Sequence, residues 1–168
     1  MIRPEQANDY TAIDSLLNAA FEQESENLLV HELRGTNEFI SEFSLVLEVE
    51  GRIFGYLLLY PINIISGETK IQSLALAPMA VLPENQNQGW GGNLVEYALK
   101  QAKLKDWGSV VVLGHPNYYP KFGFQPASTF KVNGPFKVPD EIFMALELKP
   151  GALDSGGRVA YPEPFMKF

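Results

Sequence analysis

VLPENQNQGWGGNL, residues 81–94, passes from an apolar strand ending at Pro83, through a polar loop, into three glycines where a helix begins. The first N–H groups of a helix have no intrahelical partner, so such a start is an anion site. Glycines at 89, 91 and 92 keep Cβ atoms out of the way of an approaching phosphate. Two familiar phosphate loops are excluded. A P-loop needs Lys after its last glycine, where this chain has Asn93. A dinucleotide fingerprint needs a third glycine where Leu94 stands. Taken alone, the same glycines also suit close packing at a helix start.

Working outward, Leu94, Val95, Ala98, Leu99 and Ala102 form one apolar stripe, which predicts a helix over 90–105. Before the loop, residues 70–82 read as a strand, and Pro78 within it predicts a bulge or break, because proline cannot donate to a ladder. Strands over 43–50 and 53–61 flank Glu50-Gly51-Arg52, a tight hairpin turn. Upstream lie a short strand over 1–4 and a helix capped by Asn8 or Asp9, with Tyr10, Ile13, Leu16, Leu17, Ala20 and Phe21 at helical spacing. A second helix over 25–35 places Leu28, Leu29 and Leu33 inward and stops at Gly35. Downstream come a buried strand over 109–113, a helical turn from Tyr118 to Phe122, and a last strand over 142–148. The Gly- and Pro-rich tail after Pro150 reads as a surface wrap. Without a repeat or linker, the order β-α-α-β-β-β-α-β-α-β predicts one α/β domain over 1–168, a mixed sheet with helices on both faces.

Composition narrows the function classes. The chain has 168 residues, 46% hydrophobic and 20% charged, an ordinary globular balance. It has no cysteine, which excludes disulfides, thiolate catalysis and cysteine metal sites. Two histidines 84 positions apart give no ligand spacing, so no metal is expected. A net charge of −7 without a basic cluster disfavours nucleic acid and anionic membranes and suits cationic partners such as amines. No run approaches a membrane span, and MIRPEQANDY lacks the features of a signal peptide, so a cytoplasmic protein is expected.

Val81, Pro83, Gln86, Gly89 and Gly91 fall on Val-x-Pro-x-x-Gln-x-x-Gly-x-Gly, which resembles the signature of the GNAT superfamily of N-acetyltransferases. Thirty residues on, VVLGHPNYYPKFGF (111–124) resembles the family's Tyr-x-x-x-Gly-Phe segment through Tyr119, Gly123 and Phe124. The resemblance extends over nearly the whole chain and implies a mixed, mostly antiparallel sheet, acetyl-CoA as co-substrate and no metal. It places the diphosphate on Gln86, Asn87, Gln88, Gly89, Trp90, Gly91 and Gly92, and the pantetheine arm along Met79, Ala80 and Val81. An N–H near Ala80 or Val81 would face the thioester oxygen. Trp90 would cover the cofactor or cap the core, and Phe122 would pack on the pantetheine arm or on the sheet.

The resemblance makes Tyr119 the general acid, with Tyr118 as the fallback, and leaves His115 as general base or as helix-capping or turn packing before Pro116. A water chain to Glu48 or Glu50 would also serve as base. Glu22, Glu24 and Glu26 would border the acceptor site or form a solvated loop. The activity implied is direct acetyl transfer from acetyl-CoA to a primary amine, on a small molecule or a protein. The alternatives are a non-catalytic acyl-CoA-binding or regulatory module and an acyltransferase with a longer acyl donor or a non-amine acceptor. A homodimer is possible, because Tyr161, Phe165 and Phe168 would join an interface or fold back on their own core.

Overall fold

Alternation along one long strand sets the layers. The computed structural model describes residues 1–167. Strands β1 (Ile2–Pro4), β2 (Ser44–Val49), β3 (Arg52–Ser66), β4 (Thr69–Val81), β5 (Ser109–Leu113), β6 (Gln125–Pro126), β7 (Val132–Asn133), β8 (Phe143–Glu147) and β9 (Gly157–Ala160) form one sheet. Helices α1 (Tyr10–Phe21), α2 (Ser25–Arg34), α3 (Trp90–Leu104) and α4 (Glu163–Lys167) complete the chain. In β3, Tyr56, Leu58 and Tyr60 point to one face and meet Ile13, Leu16 and Leu17 of α1 and Leu29, Val30 and Leu33 of α2. Leu57 and Leu59 point to the other face and meet Leu94, Val95, Ala98 and Ala102 of α3. Helices therefore cover both faces, each layer supplying the apolar area that stabilises it. No helix among the described residues is long and apolar enough to cross a membrane.

The main path of the sheet runs β1-β2-β3-β4-β5-β8-β6. Its neighbours are antiparallel except for β4 and β5, which are parallel. The β2–β3 turn has Glu50 at φ 51° and Gly51 at φ 79°, the left-handed pair that suits a two-residue hairpin. Opposite β3, the register jumps: Leu57 pairs with Met79 but Leu59 with Leu76, so β4 carries one extra residue around Ala77 and Pro78. This is the bulge that Pro78 predicts.

The start of α1 is tied to the edge of the sheet by charge. Arg3 donates from Nη1 to Asp9 Oδ2 (2.8 Å) and from Nη2 to Asp9 Oδ1 (3.1 Å), and the Gln6 N–H donates to Asp9 Oδ2 (2.7 Å). The hydrogen bonds from Arg3, more than that from the Gln6 backbone, hold the Asp9 carboxyl below its ordinary range. A depressed carboxyl contributes stability that is present above its unfolded pKa and is lost as pH falls through the folded value. Asp9→Asn is therefore expected to lower unfolding free energy by about 2 kcal/mol at neutral pH. Urea denaturation should show that gap closing as the pH drops below the ordinary carboxylate range.

Two readings of the sequence change. Leu28 is 46% exposed, while Val30 takes its inward place beside Leu29 and Leu33. The tail is also more than a surface wrap. β9 pairs with the second half of β3, beyond the reach of β2, with Asn63 opposite Ala160. Gly157 makes this possible: at φ 128° it lies so close to β3 that a Cβ there would come within 2.6 Å of the Ile65 carbonyl oxygen. Phe165 then packs edge-on against Tyr60 at 5.7 Å and on Tyr161 at 5.5 Å, so this part of the tail folds back on its own core. Phe168 lies outside the described residues.

Candidate active site

The parallel pair β4–β5 does not stay closed. Only Leu74 with Val110 and Ala75 with Val111 are in register, after which the bulge carries β4 away from β5. The edge of β4 from Met79 to Val81 is left open. Leu82 donates its N–H to the Phe54 carbonyl at 2.8 Å, so it faces β3. Because backbone groups alternate sides along a strand, those of Val81 and Met79 face the opening. The Val81 carbonyl there accepts a hydrogen bond from Gln86 Nε2 at 3.0 Å. Gln86 thus braces the loop against the strand, and the Val81 and Met79 N–H groups point into the cleft.

The second wall is the start of α3. Gly89 occupies the N-cap position at φ 88°, a left-handed conformation that glycine adopts freely, and no side chain caps the helix. The Asn93 N–H donates to the Gly89 carbonyl at 3.1 Å, closing the first turn. The N–H groups of Trp90, Gly91 and Gly92 precede that bond and have no partner within the helix. Together these walls enclose about 610 Å³, and Ala20 and Phe21 at the end of α1 form the far side. Met79, Ala80, Val81, Gln86, Asn87, Gly89, Trp90, Gly91 and Gly92 all line this space, so the structure brings these sequence-predicted residues together. Gln88 is exposed on the loop and lies off the wall.

The short turn Tyr119–Phe122 closes the remaining side. A Cβ at Gly91 would lie 2.7 Å from Tyr118 Oη, and one at Gly92 would lie 3.6 Å from Phe122 Cζ. The glycines therefore admit two aromatic rings as well as leaving N–H groups open. The Phe122 ring lies against Gly92 of α3, packs on the core cluster shared by α3 and the sheet, and does not line the cleft wall. Lys121, between the two rings, holds its Nζ 4.1 Å from the centre of Tyr118 and 5.6 Å from that of Phe122.

The neighbouring tyrosines occupy different depths. Tyr118 lines the cleft at its glycine end. Tyr119 is 8% exposed and sits below the cleft wall, packed edge-on against Phe124 at 5.7 Å. Its ring also lies against Gly114, at the end of β5 where the strands diverge. Burial raises the Tyr119 pKa above the ordinary 10.0, with Tyr118 adding to the effect, and burial likewise raises that of Tyr118. Both phenols hold their protons at neutral pH.

His115 is exposed and stays off the wall. Its Nδ1 accepts the Asn117 N–H at 3.3 Å, and its carbonyl accepts the Tyr118 N–H at 3.1 Å. These contacts make His115 part of the turn ahead of Tyr118. Glu48 and Glu50 lie at the hairpin end of the sheet, away from this cleft. Glu48 accepts from Arg3 Nε at 3.0 Å, and Glu50 is exposed in the turn. Glu22 and Glu24 are exposed just beyond Phe21, and Glu26 accepts from Gln23 Nε2 at 3.0 Å. Trp90 lines the cleft, but its Nε1 is buried and has no partner among the described residues.

A larger depression of about 750 Å³ lies between the start of α1 and the hairpin, lined by Arg3, Asp9, Glu48, Arg52 and Glu84 among others. Arg3, Asp9 and Glu48 satisfy one another there. It offers no diverging strand pair and carries the carboxylates of Asp9, Glu48 and Glu84 on its wall, so the smaller cleft is the better fit to an extended polyanion.

Residues 41–126 match the family model for the acetyltransferase (GNAT) domain. The N-acetyltransferase YhbS of Escherichia coli is 32% identical over 100% of this chain and 99% of its own. The chain belongs to the GNAT family. A second E. coli relative, N-acetyltransferase YjhQ, is 31% identical over 93% of this chain and 90% of its own. The crystal structure of YhbS in complex with CoA superposes with a TM-score of 0.90, at 32% identity, covering 100% of this chain and 92% of that one. A GNAT acetyltransferase of Brucella melitensis in complex with acetyl-CoA superposes at 0.80, with 29% identity, covering 98% and 97%. As a GNAT protein, this chain is an acyl-CoA-dependent acetyltransferase with a mixed, mostly antiparallel sheet.

Two features of the site escaped the sequence reading. Lys121 looks like a solvated charge in a polar turn. Its i, i+3 spacing from Tyr118 was the available signal that both share a face. Asn85 lines the cleft just ahead of the glycine loop, and nothing in the sequence marks it.

Proposed function

We propose that the cleft binds acetyl-CoA and transfers its acetyl group directly to a primary amine. The observation that carries this is the pairing of a diverging β4–β5 edge with an uncapped, glycine-built start of α3. The pantetheine arm lies along Met79–Val81 as an added strand, and the diphosphate rests on the N–H groups of Trp90, Gly91 and Gly92. An N–H from Met79 or Val81 polarises the thioester carbonyl, worth about 3 kcal/mol of barrier for one well-placed donor. The amine nitrogen attacks the carbonyl carbon, the C–S bond breaks, and Tyr119 gives its proton to the departing thiolate. Tyr119 holds the family's place for this donor and its ring lies where the strands diverge; Tyr118, whose Oη stands on the cleft wall by Gly91, is the second candidate. Without cysteine, no acyl-thiol enzyme forms.

The cleft wall carries no carboxylate or imidazole, so the attacking amine loses its proton to solvent. His115→Gln is expected to keep kcat/KM within about twofold across pH 6–9, because the amine's own ionisation sets the profile. Loss in that variant of an ionisation limb that the wild type shows would make His115 the base. Thiol release from acetyl-CoA, measured over a panel of small amines and lysine peptides, tests turnover itself. Acetylation of any amine supports the enzyme reading, while CoA binding without turnover on the whole panel favours a non-catalytic acyl-CoA module.

A further inference from the structure

A diphosphate brings several negative charges into a protein of net charge −7. The glycine loop that meets it is uncharged: Gln86, Asn87, Gln88, Gly89, Trp90, Gly91 and Gly92. Among the residues lining the cleft, Lys121 alone carries a formal charge. Its placement follows from the turn. Tyr118 Oη stands over Gly91 and the Phe122 ring over Gly92, and the Lys121 ammonium lies against both rings. The cation is thereby held beside the residues whose N–H groups are open, and it forms no ion pair among the described residues. The rings restrict the lysine stem before any ligand arrives, which lowers the entropy lost when a salt contact forms.

Resting on the acetyl-CoA reading above, we infer that Lys121 is the cationic half of the diphosphate site, closing over the phosphates from the side opposite the α3 N–H groups. The helix start supplies directional donors, and Lys121 supplies the charge that the loop lacks. Tyr118 acts through Lys121 by presenting the ring face on which the ammonium rests.

The test is calorimetric titration of wild type, Lys121→Gln and Lys121→Arg with CoA, dephospho-CoA and pantetheine. Lys121→Gln is expected to weaken CoA and dephospho-CoA alike by about tenfold, the loss of one charge-assisted contact. It should leave pantetheine unaffected, and Lys121→Arg should recover most of the loss. Added salt should weaken CoA binding to the wild type more than to Lys121→Gln. Unchanged CoA affinity in Lys121→Gln would overturn the inference. A loss confined to CoA and absent with dephospho-CoA would overturn it too, by moving the lysine to the 3′-phosphate. If the wild type binds no CoA, the acetyl-CoA reading fails and takes this inference with it, an outcome separate from wild-type binding that the variant leaves intact.

Discussion

Gly91→Glu is expected to weaken CoA binding about a hundredfold or more while leaving the fold in place. A Cβ at this position would stand 2.7 Å from Tyr118 Oη and 3.7 Å from both Met79 Sδ and Val81 Cγ2. The closest of these is the far end of a tyrosine side chain, which can swing outward, so the protein accommodates the new residue. A glutamate in the first turn of α3 also suits the helix dipole, which favours folding. What it removes is the room for a phosphate, because its own carboxylate stands beside the open N–H groups of α3. Two like charges about 4 Å apart near a surface repel by about 4 kcal/mol, and solvent exposure reduces that, leaving about a hundredfold loss of affinity or more. Titration with CoA and a thermal melt check the two halves of this expectation. Wild-type affinity in the variant would remove the diphosphate from this loop.

Tyr119→Phe is expected to lower kcat about a hundredfold, the usual scale for a lost general acid, with acetyl-CoA affinity within about twofold of wild type. The substitution keeps the ring that packs on Phe124 and Tyr118 at centroid distances of 5.7 and 5.1 Å, so the core under the cleft is preserved. Tyr118→Phe should show the converse, a modest change in affinity with kcat nearly intact, because its hydroxyl stands over Gly91. Burial raises the Tyr119 pKa above 10.0, and a group that acts as an acid stays active below its pKa. No fall in kcat on the alkaline side should therefore come from this residue below pH 10. Initial rates for the three proteins, with saturating acetyl-CoA and an amine that turns over, make the comparison. Equal rates in wild type and Tyr119→Phe would move the proton donor elsewhere.

The frame of the site was legible because it depends on local chemistry. Gly89 needs its positive φ, Pro78 forces an irregular strand, and the stripe from Leu94 to Ala102 admits one helical face. Each is a constraint within a few residues, and each marks a wall of the cleft. What the sequence hid depends on contacts made across the fold. β9 reads as a glycine-rich tail until Gly157 is seen against Ile65, more than ninety positions earlier. Leu28 and Val30 are interchangeable to a helical pattern, and only the rotation of α2 on the sheet makes Val30 the buried one. Tyr118 and Tyr119 are adjacent in a turn, and their separation into glycine end and strand end follows from what each ring meets. His115 reads from the sequence as a base or as turn packing, and its contact with the Asn117 N–H shows only once the turn is folded. Lys121 gains its meaning only because the turn docks on α3.

Calorimetric titration of the purified protein with acetyl-CoA and CoA, beside NAD as a control, tests the central claim most directly. Saturable binding of both CoA species in the micromolar range, with no heat from NAD, is the result expected of a diverging strand edge joined to an uncapped helix start. Absence of binding by either CoA species would contradict it, and so would NAD bound as well as CoA.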